Sequence, residues 1–224
     1  MTLAASRYDG IATWYDTVMS DPEVRGGLAR TSHRLVGAFL GPGTGLVLDV
    51  GTGTGIAAQA LRDLGYTPVG VDLSLDQLRL AVARLPVAQG DAAQLPFADN
   101  SVPRAVSTFV SSDLDDFAAA VREIHRVLAP GGRYVAVCVH PCFDGNHTRR
   151  NPDGTVTLRA GYRSAGYAPP SHFSTSVRGA VGAWHRPLAE QVNTYLDAGF
   201  RLVALAEDGT RDIPDQLALS LVKP

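Results

Sequence analysis

Apolar residues recur along this chain in two rhythms. Continuous runs rich in β-branched residues, at 47–50, 67–73, 87–89, 105–109 and 134–140, read as buried strands. Between them, apolar residues return every three or four positions. Leu75, Leu78, Val82 and Leu85 share one face of a helix predicted from about 75 to 84 and capped by Ser74. Phe117, Val121, Ile124 and Leu128 share one face of a second helix over 116–128, which Pro130-Gly131-Gly132 stops. Strands alternating with helices in this way predict a parallel sheet covered by helices on both faces, with right-handed crossovers.

Both ends depart from the alternation. Before the first strand, Leu28, Leu35, Val36 and Phe39 lie on one face of a helix from about 23 to 40, with Asp21-Pro22-Glu23 as its start signal and Gly41-Pro42-Gly43 as its stop. Residues 1–40 thus read as an N-terminal helical cap. After a helix that opens at Arg186-Pro187 and closes at Gly199, the runs 200–206 and 216–222 read as an antiparallel closing hairpin, because the link is short for a crossover. From 141 to about 183 no apolar period is sustained, and Gly, Pro, Ser, Arg and aromatic residues dominate. A stretch of that length is expected to be a substrate-covering insert, with a mobile surface excursion as the alternative. The expected architecture is one α/β domain over 1–224: a doubly wound, mostly parallel seven-stranded sheet with an insert after strand five.

Composition removes several function classes. The balance of 20 Lys+Arg against 22 Asp+Glu offers no field for nucleic acid. No apolar run approaches the roughly 20 residues of a membrane span, and the N-terminus lacks a long apolar core of a signal peptide, so a cytoplasmic protein without a membrane partner is expected. Cys138 and Cys142 sit in a strand and its exit with poor disulfide geometry, which fits reduced thiols.

The chemistry concentrates in Val47-Leu48-Asp49-Val50-Gly51-Thr52-Gly53-Thr54-Gly55, a strand running into three alternate glycines and then a helix. Glycine lets the backbone approach a ligand, and amides at the start of a helix carry partial positive charge. A dinucleotide loop would need a small residue at position 56, which is Ile56, and a phosphate-binding loop would need a lysine that is absent. The pattern is G-x-G-x-G.

That loop, followed by Asp72 at the end of the next strand, resembles the class I S-adenosylmethionine-dependent methyltransferases. Similar to the same family are Gly90-Asp91-Ala92-Ala93-Gln94-Leu95-Pro96-Phe97, the stretch 119–132, and the opening Tyr8-Asp9-Gly10-Ile11-Ala12-Thr13-Trp14-Tyr15-Asp16, which looks like the signature of the small-molecule, ubiquinone/menaquinone-methyltransferase-like branch. The resemblance implies S-adenosylmethionine as cofactor. It implies that Asp49 accepts from the methionine ammonium, that Gly51, Thr52, Gly53 and Gly55 line the methionine moiety, and that Asp72 accepts the ribose hydroxyls. It further implies that Asp91 and Ala92 meet the adenine while Leu73 packs on it. Phe109 would line the pocket near the sulfonium, with core packing as its alternative, and Tyr8 and Tyr15 would close over the carboxylate end.

Ligands of open α/β sheets lie beyond the carboxyl ends of the strands, which points to Ser111, Ser112 and Asp113 after strand four and to His140, Cys142 and His147 after strand five. Asp113, His140 and His147 are the catalytic candidates, His140 as a general base looking over the sheet edge, with a backbone-bonded histidine as its alternative. His185 is a further candidate. Cys138, His140, Cys142 and His147 lack the spacing of a zinc knuckle, and no metal is expected. Arg149, Arg150, Arg159, Arg163 and Tyr162 would cover an anionic or planar acceptor, or simply be solvated. The Pro-Pro-aromatic signature of nucleobase amine methylation is missing at Ser107-Thr108-Phe109-Val110. The expected function is methyl transfer to an oxygen, nitrogen or carbon of a small biosynthetic acceptor by a monomer or homodimer. An NAD-type oxidoreductase and a non-catalytic cofactor binder are the alternatives.

Overall fold

The computed structural model describes residues 5–21, 27–171, 176–209 and 212–224. The chain begins with helices α1 (Ala12–Ser20) and α2 (Leu28–Leu40). Next come β1 (Leu46–Val50), α3 (Ala58–Asp63), β2 (Thr67–Asp72), α4 (Leu75–Ala81), β3 (Val87–Gln89) and β4 (Val102–Thr108). Helix α5 (Phe117–Val127) leads into β5 (Leu128–Val139), after which the insert carries β6 (Thr148–Arg150), β7 (Val156–Leu158), β8 (Gly166–Ala168), α6 (Val177–Val181) and β9 (Ala183–His185). Helix α7 (Leu188–Asp197), β10 (Arg201–Asp208) and β11 (Gln216–Val222) complete it.

Seven strands form one sheet in the order β10-β11-β5-β4-β1-β2-β3. All neighbours from β5 to β3 pair in parallel, and β11 runs antiparallel to both β5 and β10. The expected α/β sheet with its closing hairpin is therefore present. Strand order reverses between β1 and β4, and the gap at such a switch point is where open α/β sheets bind ligands.

The alternation of side chains along the strands divides the core between two faces. Val47, Val106, Val135 and Val137 turn to α2 and α3, where they meet Leu35, Val36, Leu40 and Leu61. Leu48, Val50, Leu217 and Leu219 turn the other way, onto Phe117, Ile124, Tyr195 and Phe200 of α5, α7 and the turn after it. Each large aliphatic side chain so enclosed contributes about 1.5–3 kcal/mol of burial.

Two sequence readings are revised, and a third falls outside the described residues. The proposed start of the second helix at Glu23 lies outside the described residues, and α2 opens at Leu28 after Gly27, whose φ is +89°. Helix α5 stops at Val127, and Pro130-Gly131-Gly132 belongs to β5 rather than to a loop. Gly131 N–H donates to Lys223 O at 2.9 Å and Lys223 N–H to Gly132 O at 3.0 Å, so backbone pairing with the C-terminus holds the glycines in the sheet. The insert is built rather than irregular: β6 and β7 form a hairpin, and β8 pairs antiparallel with β9. Among the described residues no helix is long and apolar enough to cross a membrane.

Candidate active site

The loop after β1 is pinned from below. Gly51 N–H and Thr52 N–H both donate to Val71 O, at 2.8 and 3.1 Å. Gly51, Gly53 and Gly55 have φ of +70°, +57° and +79°, backbone that L side chains rarely adopt. A Cβ on Gly51 would lie 2.3 Å from Val110 Cγ2, so the missing side chain lets the loop pass against the exit of β4.

Asp72 ties this loop to the next one. Its Oδ2 accepts from Gly53 N–H and its Oδ1 from Ser74 N–H, both at 2.8 Å. Burial lifts this carboxyl above its ordinary range, and the two amides oppose that lift. Lone pairs remain on both oxygens for further donors.

The N-terminal segment closes the top. Ser74 hydroxyl donates to Asp9 Oδ1 at 2.7 Å, and Gly10 N–H donates to Asp76 Oδ2 at 2.8 Å. Arg84 grips Asp16 with two bonds, at 2.5 and 3.0 Å, and also donates to Thr54 O at 2.8 Å. Tyr8 and Tyr15 meet edge to face at 5.3 Å. The sequence reading used only the tyrosines of this segment; the acids beside them are what hold it down.

These elements enclose a cavity of about 400 Å³. Of the expected cofactor residues, Gly51, Gly53, Asp72 and Leu73 line it from the loops after β1 and β2. Asp91 and Ala92 line it beyond β3, and Tyr8, Tyr15 and Phe109 complete its walls. Asp91 Oδ1 accepts from Ala93 N–H at 2.8 Å, which fixes the carboxyl within its own turn. That turn is braced by α5: Glu123 accepts from Leu95 N–H at 2.9 Å and Arg126 donates to Phe97 O at 2.9 Å. Glu123 and Arg126 are therefore supports of the site. Phe109 has φ of +64° and donates its N–H to Val137 O at 2.7 Å. A non-glycine residue at positive φ marks strain held by its surroundings.

Asp49, Thr52 and Gly55 do not line the cavity; they form its backing. Asp49 is buried, accepts from Thr52 hydroxyl at 2.7 Å, and has one enclosed oxygen without a partner. Burial pushes its pKa up to about 6. A Cβ on Gly55 would meet Leu85 and Ala81, so this glycine serves the packing of the loop on α4.

Among the catalytic candidates, the cavity takes in Asp113 and neither histidine. Asp113 Oδ2 accepts from the Tyr8 hydroxyl at 3.1 Å. Burial pushes its pKa up to about 7, against the opposing effect of the Tyr8 hydrogen bond and the Arg7 and Arg178 charges. Arg7 donates to Asp113 O and to Asp115 Oδ1 and lies 5.0 Å over the Tyr167 ring.

The expected outlook of His140 over the sheet edge is not found. Its ring is 1% exposed, with Nε2 2.5 Å from Glu207 Oε1 and Nδ1 accepting from Cys142 N–H at 3.2 Å. The closing hairpin brings Glu207 to it, and both ring nitrogens are engaged by the protein. His147 is also turned away from the cavity: it contacts Cys142 O at 3.2 Å and its ring lies tilted, 4.7 Å from that of His185, whose Nε2 lies 2.7 Å from Tyr162 O. Tyr162 hydroxyl accepts from Leu188 N–H at 3.0 Å, so it caps α7. Arg150 donates to Ile213 O and Pro214 O and anchors the insert, and Arg149, Arg159 and Arg163 are absent from the cavity wall. The insert reaches the cavity instead through Val177 and Arg178 of α6. Among the described residues no cluster of three His, Cys, Asp or Glu side chains is arranged to hold a metal ion.

Known proteins share this construction. Residues 48–136 match a family described as a methyltransferase domain. The demethylmenaquinone methyltransferase of Corynebacterium kroppenstedtii is 35% identical over 136 residues, which cover 60% of this chain and 58% of that protein. The chain thus spans less than two thirds of that relative's length. A structure of an S-adenosylmethionine dependent methyltransferase from Mesorhizobium loti superposes on 88% of this chain over 98% of its own, with a TM-score of 0.69 and 21% identity. The cyclase SpnF superposes on 100% of this chain over 98% of its own, with a TM-score of 0.70 and 18% identity, a likeness of fold alone. The sheet order agrees with these likenesses: residues 48–136 match a methyltransferase domain, and the fold is that of solved S-adenosylmethionine-dependent methyltransferases.

Proposed function

We propose that this chain transfers the methyl group of S-adenosylmethionine to a nucleophile of a small, quinone-like organic acceptor. One observation carries the reading: the loop, Asp72 and Asp91 open onto the same cavity of about 400 Å³ as the half-buried carboxyl of Asp113. That volume lies in the ligand-pocket range of about 300–1,000 Å³.

The donor set suits the cofactor. Asp72 retains lone pairs for the ribose hydroxyls, Asp91 sits on the adenine side, and Gly51 and Gly53 admit the methionine chain where a Cβ would intrude. Asp49 stands behind the loop with an enclosed, unpartnered oxygen, a group suited to a water shared with the methionine ammonium. When bound, S-adenosylmethionine supplies an activated methyl group, so the protein's share is to position the acceptor and to hold its proton. Asp113 takes that proton, because its pKa of about 7 matches a base working near neutrality. Tyr8 and Arg7 hold it in place. Residues 141–183 roof the acceptor through α6, within a single domain over 1–224.

A thermal-shift comparison tests this. S-adenosylhomocysteine is expected to raise the melting temperature and NADH to leave it unchanged, after which an acceptor panel of quinols and phenols reports turnover. Stabilisation by NADH alone would favour an oxidoreductase, and cofactor affinity without turnover on any acceptor would favour a binder.

A further inference from the structure

Arg178 carries hydrogen-bond donors that no described part of the protein uses. It lines the cavity and also walls a water-sized recess beside it, together with Asp144, Trp184 and His185. Its Nη1 donates to Asp144 O at 3.1 Å and to Asp144 Oδ1 at 3.3 Å. Its Nε is enclosed and has no partner, and Nη2 makes no hydrogen bond among the described residues. Among the described residues, the other two arginines that line these spaces are engaged. Arg7 donates to Asp113 and Asp115, while Arg186 donates to Ser111 O and Leu114 O, both at 2.6 Å, and faces Phe117 and Trp184.

A guanidinium held through Nη1 keeps its Nε–Nη2 edge, two parallel N–H groups whose spacing matches the oxygens of a carboxylate. A cationic N–H enclosed without a partner is costly, and a ligand that supplies the partner recovers that cost.

Position assigns this edge to the acceptor. Arg178 shares its recess with Val139, the last residue of β5, whereas the cofactor groups follow β1, β2 and β3. Strand β4 separates β1 from β5, and Asp113 follows β4, between the two regions. Resting on the methyl-transfer reading above, we propose that Arg178 anchors a carboxylate of the acceptor, which is then a small organic acid that presents its nucleophile to Asp113. The acceptor bridges Arg178 and the methyl donor.

Isothermal titration calorimetry on the full chain tests this with wild type, Arg178→Gln and Arg178→Lys. S-adenosylhomocysteine is titrated first. With that ligand saturating, 4-hydroxybenzoate and hexanoate are then compared with their amides. The three proteins are expected to bind S-adenosylhomocysteine within threefold of one another, and wild type to bind at least one carboxylate tenfold or more tightly than its amide. Arg178→Gln loses that preference and Arg178→Lys restores part of it, the lysine variant also serving if the glutamine variant melts early. Equal binding of acids and amides, binding of none of the four, or an unchanged preference in Arg178→Gln would overturn the proposal. So would a tenfold loss of S-adenosylhomocysteine affinity in Arg178→Gln, because the arginine would then serve the methionine carboxylate. Failure of wild type to bind S-adenosylhomocysteine is a different result, and it overturns the methyl-transfer reading.

Discussion

The Tyr8 hydroxyl donates to Asp113 Oδ2 at 3.1 Å, joining the N-terminal segment to the exit of β4 across the cavity. Burial keeps the Tyr8 phenol well above its ordinary pKa, so it remains a donor at every working pH. Asp113 is the partner that titrates, at about 7. In its proposed role as base it must be ionised, so kcat/KM is expected to rise about tenfold per pH unit below 7 and to level off above it. Asp113→Asn, which can still accept from Tyr8, should lower kcat by about 10²–10⁴ while sparing cofactor affinity. Stability has the opposite sign. A carboxyl raised to about 7 on folding contributes stability that is complete below about pH 4 and lost as pH rises through 7. The unliganded asparagine variant should therefore melt above wild type at pH 8. Equal melting temperatures at pH 8 and a flat pH profile would remove Asp113 from the chemistry.

Gly51 and Gly53 make different demands on the loop. A Cβ at 51 meets Val110 Cγ2 at 2.3 Å, inside a packed wall, whereas one at 53 meets Gln77 Oε1 at 2.8 Å, the far end of a flexible side chain. Both carry positive φ, worth about 1–2 kcal/mol against alanine. Overpacking adds about 1–3 kcal/mol at 51. Urea unfolding should rank Gly51→Ala as the less stable variant, and Gly51→Ala should bind S-adenosylhomocysteine more weakly as well. A reversed order would mean that Val110 moves aside.

The legible part of the site is the part set by local sequence. Each of the first strands runs straight into its ligand loop, so Gly51, Asp72, Asp91 and Asp113 could be placed from strand ends alone. His140 could not. Its environment is decided by Glu207, which the register of the closing hairpin brings to it from 67 positions away. Pro130-Gly131-Gly132 reads locally as a stop, and only pairing with Lys223 keeps it in β5. Arg178 sits on a helix of five residues, too short to leave a periodic trace.

His140→Ala separates structure from chemistry. The substitution removes the partner of Cys142 N–H and opens a void beside Phe143, whose ring centroid lies 4.7 Å from that of His140. A cost of about 2–3 kcal/mol is expected from the unpaired amide and the lost packing together. The measured signature should be a lower melting temperature with kcat per folded molecule close to wild type. A large fall in kcat with the melting temperature unchanged would instead put this imidazole in the reaction.

Asp72 supports the loop and faces the cavity at once, and the two duties can be told apart. Its oxygens accept from two backbone amides, Gly53 N–H and Ser74 N–H, each at 2.8 Å. Asparagine offers one acceptor and one donor, so one of these amides would face an N–H group and lose its bond. The uncompensated amide costs about 1–3 kcal/mol. In the proposed role of Asp72 the cofactor's ribose would lose an anionic acceptor besides, and a charge-assisted hydrogen bond is worth about 1.5–3 kcal/mol. Asp72→Asn should therefore weaken S-adenosylhomocysteine about tenfold to a hundredfold, more than its loss of stability alone accounts for. Comparison with 5′-deoxy-5′-methylthioadenosine, which keeps the ribose and lacks the amino acid, should show the same ratio. If the ratio vanishes for that ligand, the effect travels through Gly53 and the methionine end of the loop, and the ribose is held elsewhere.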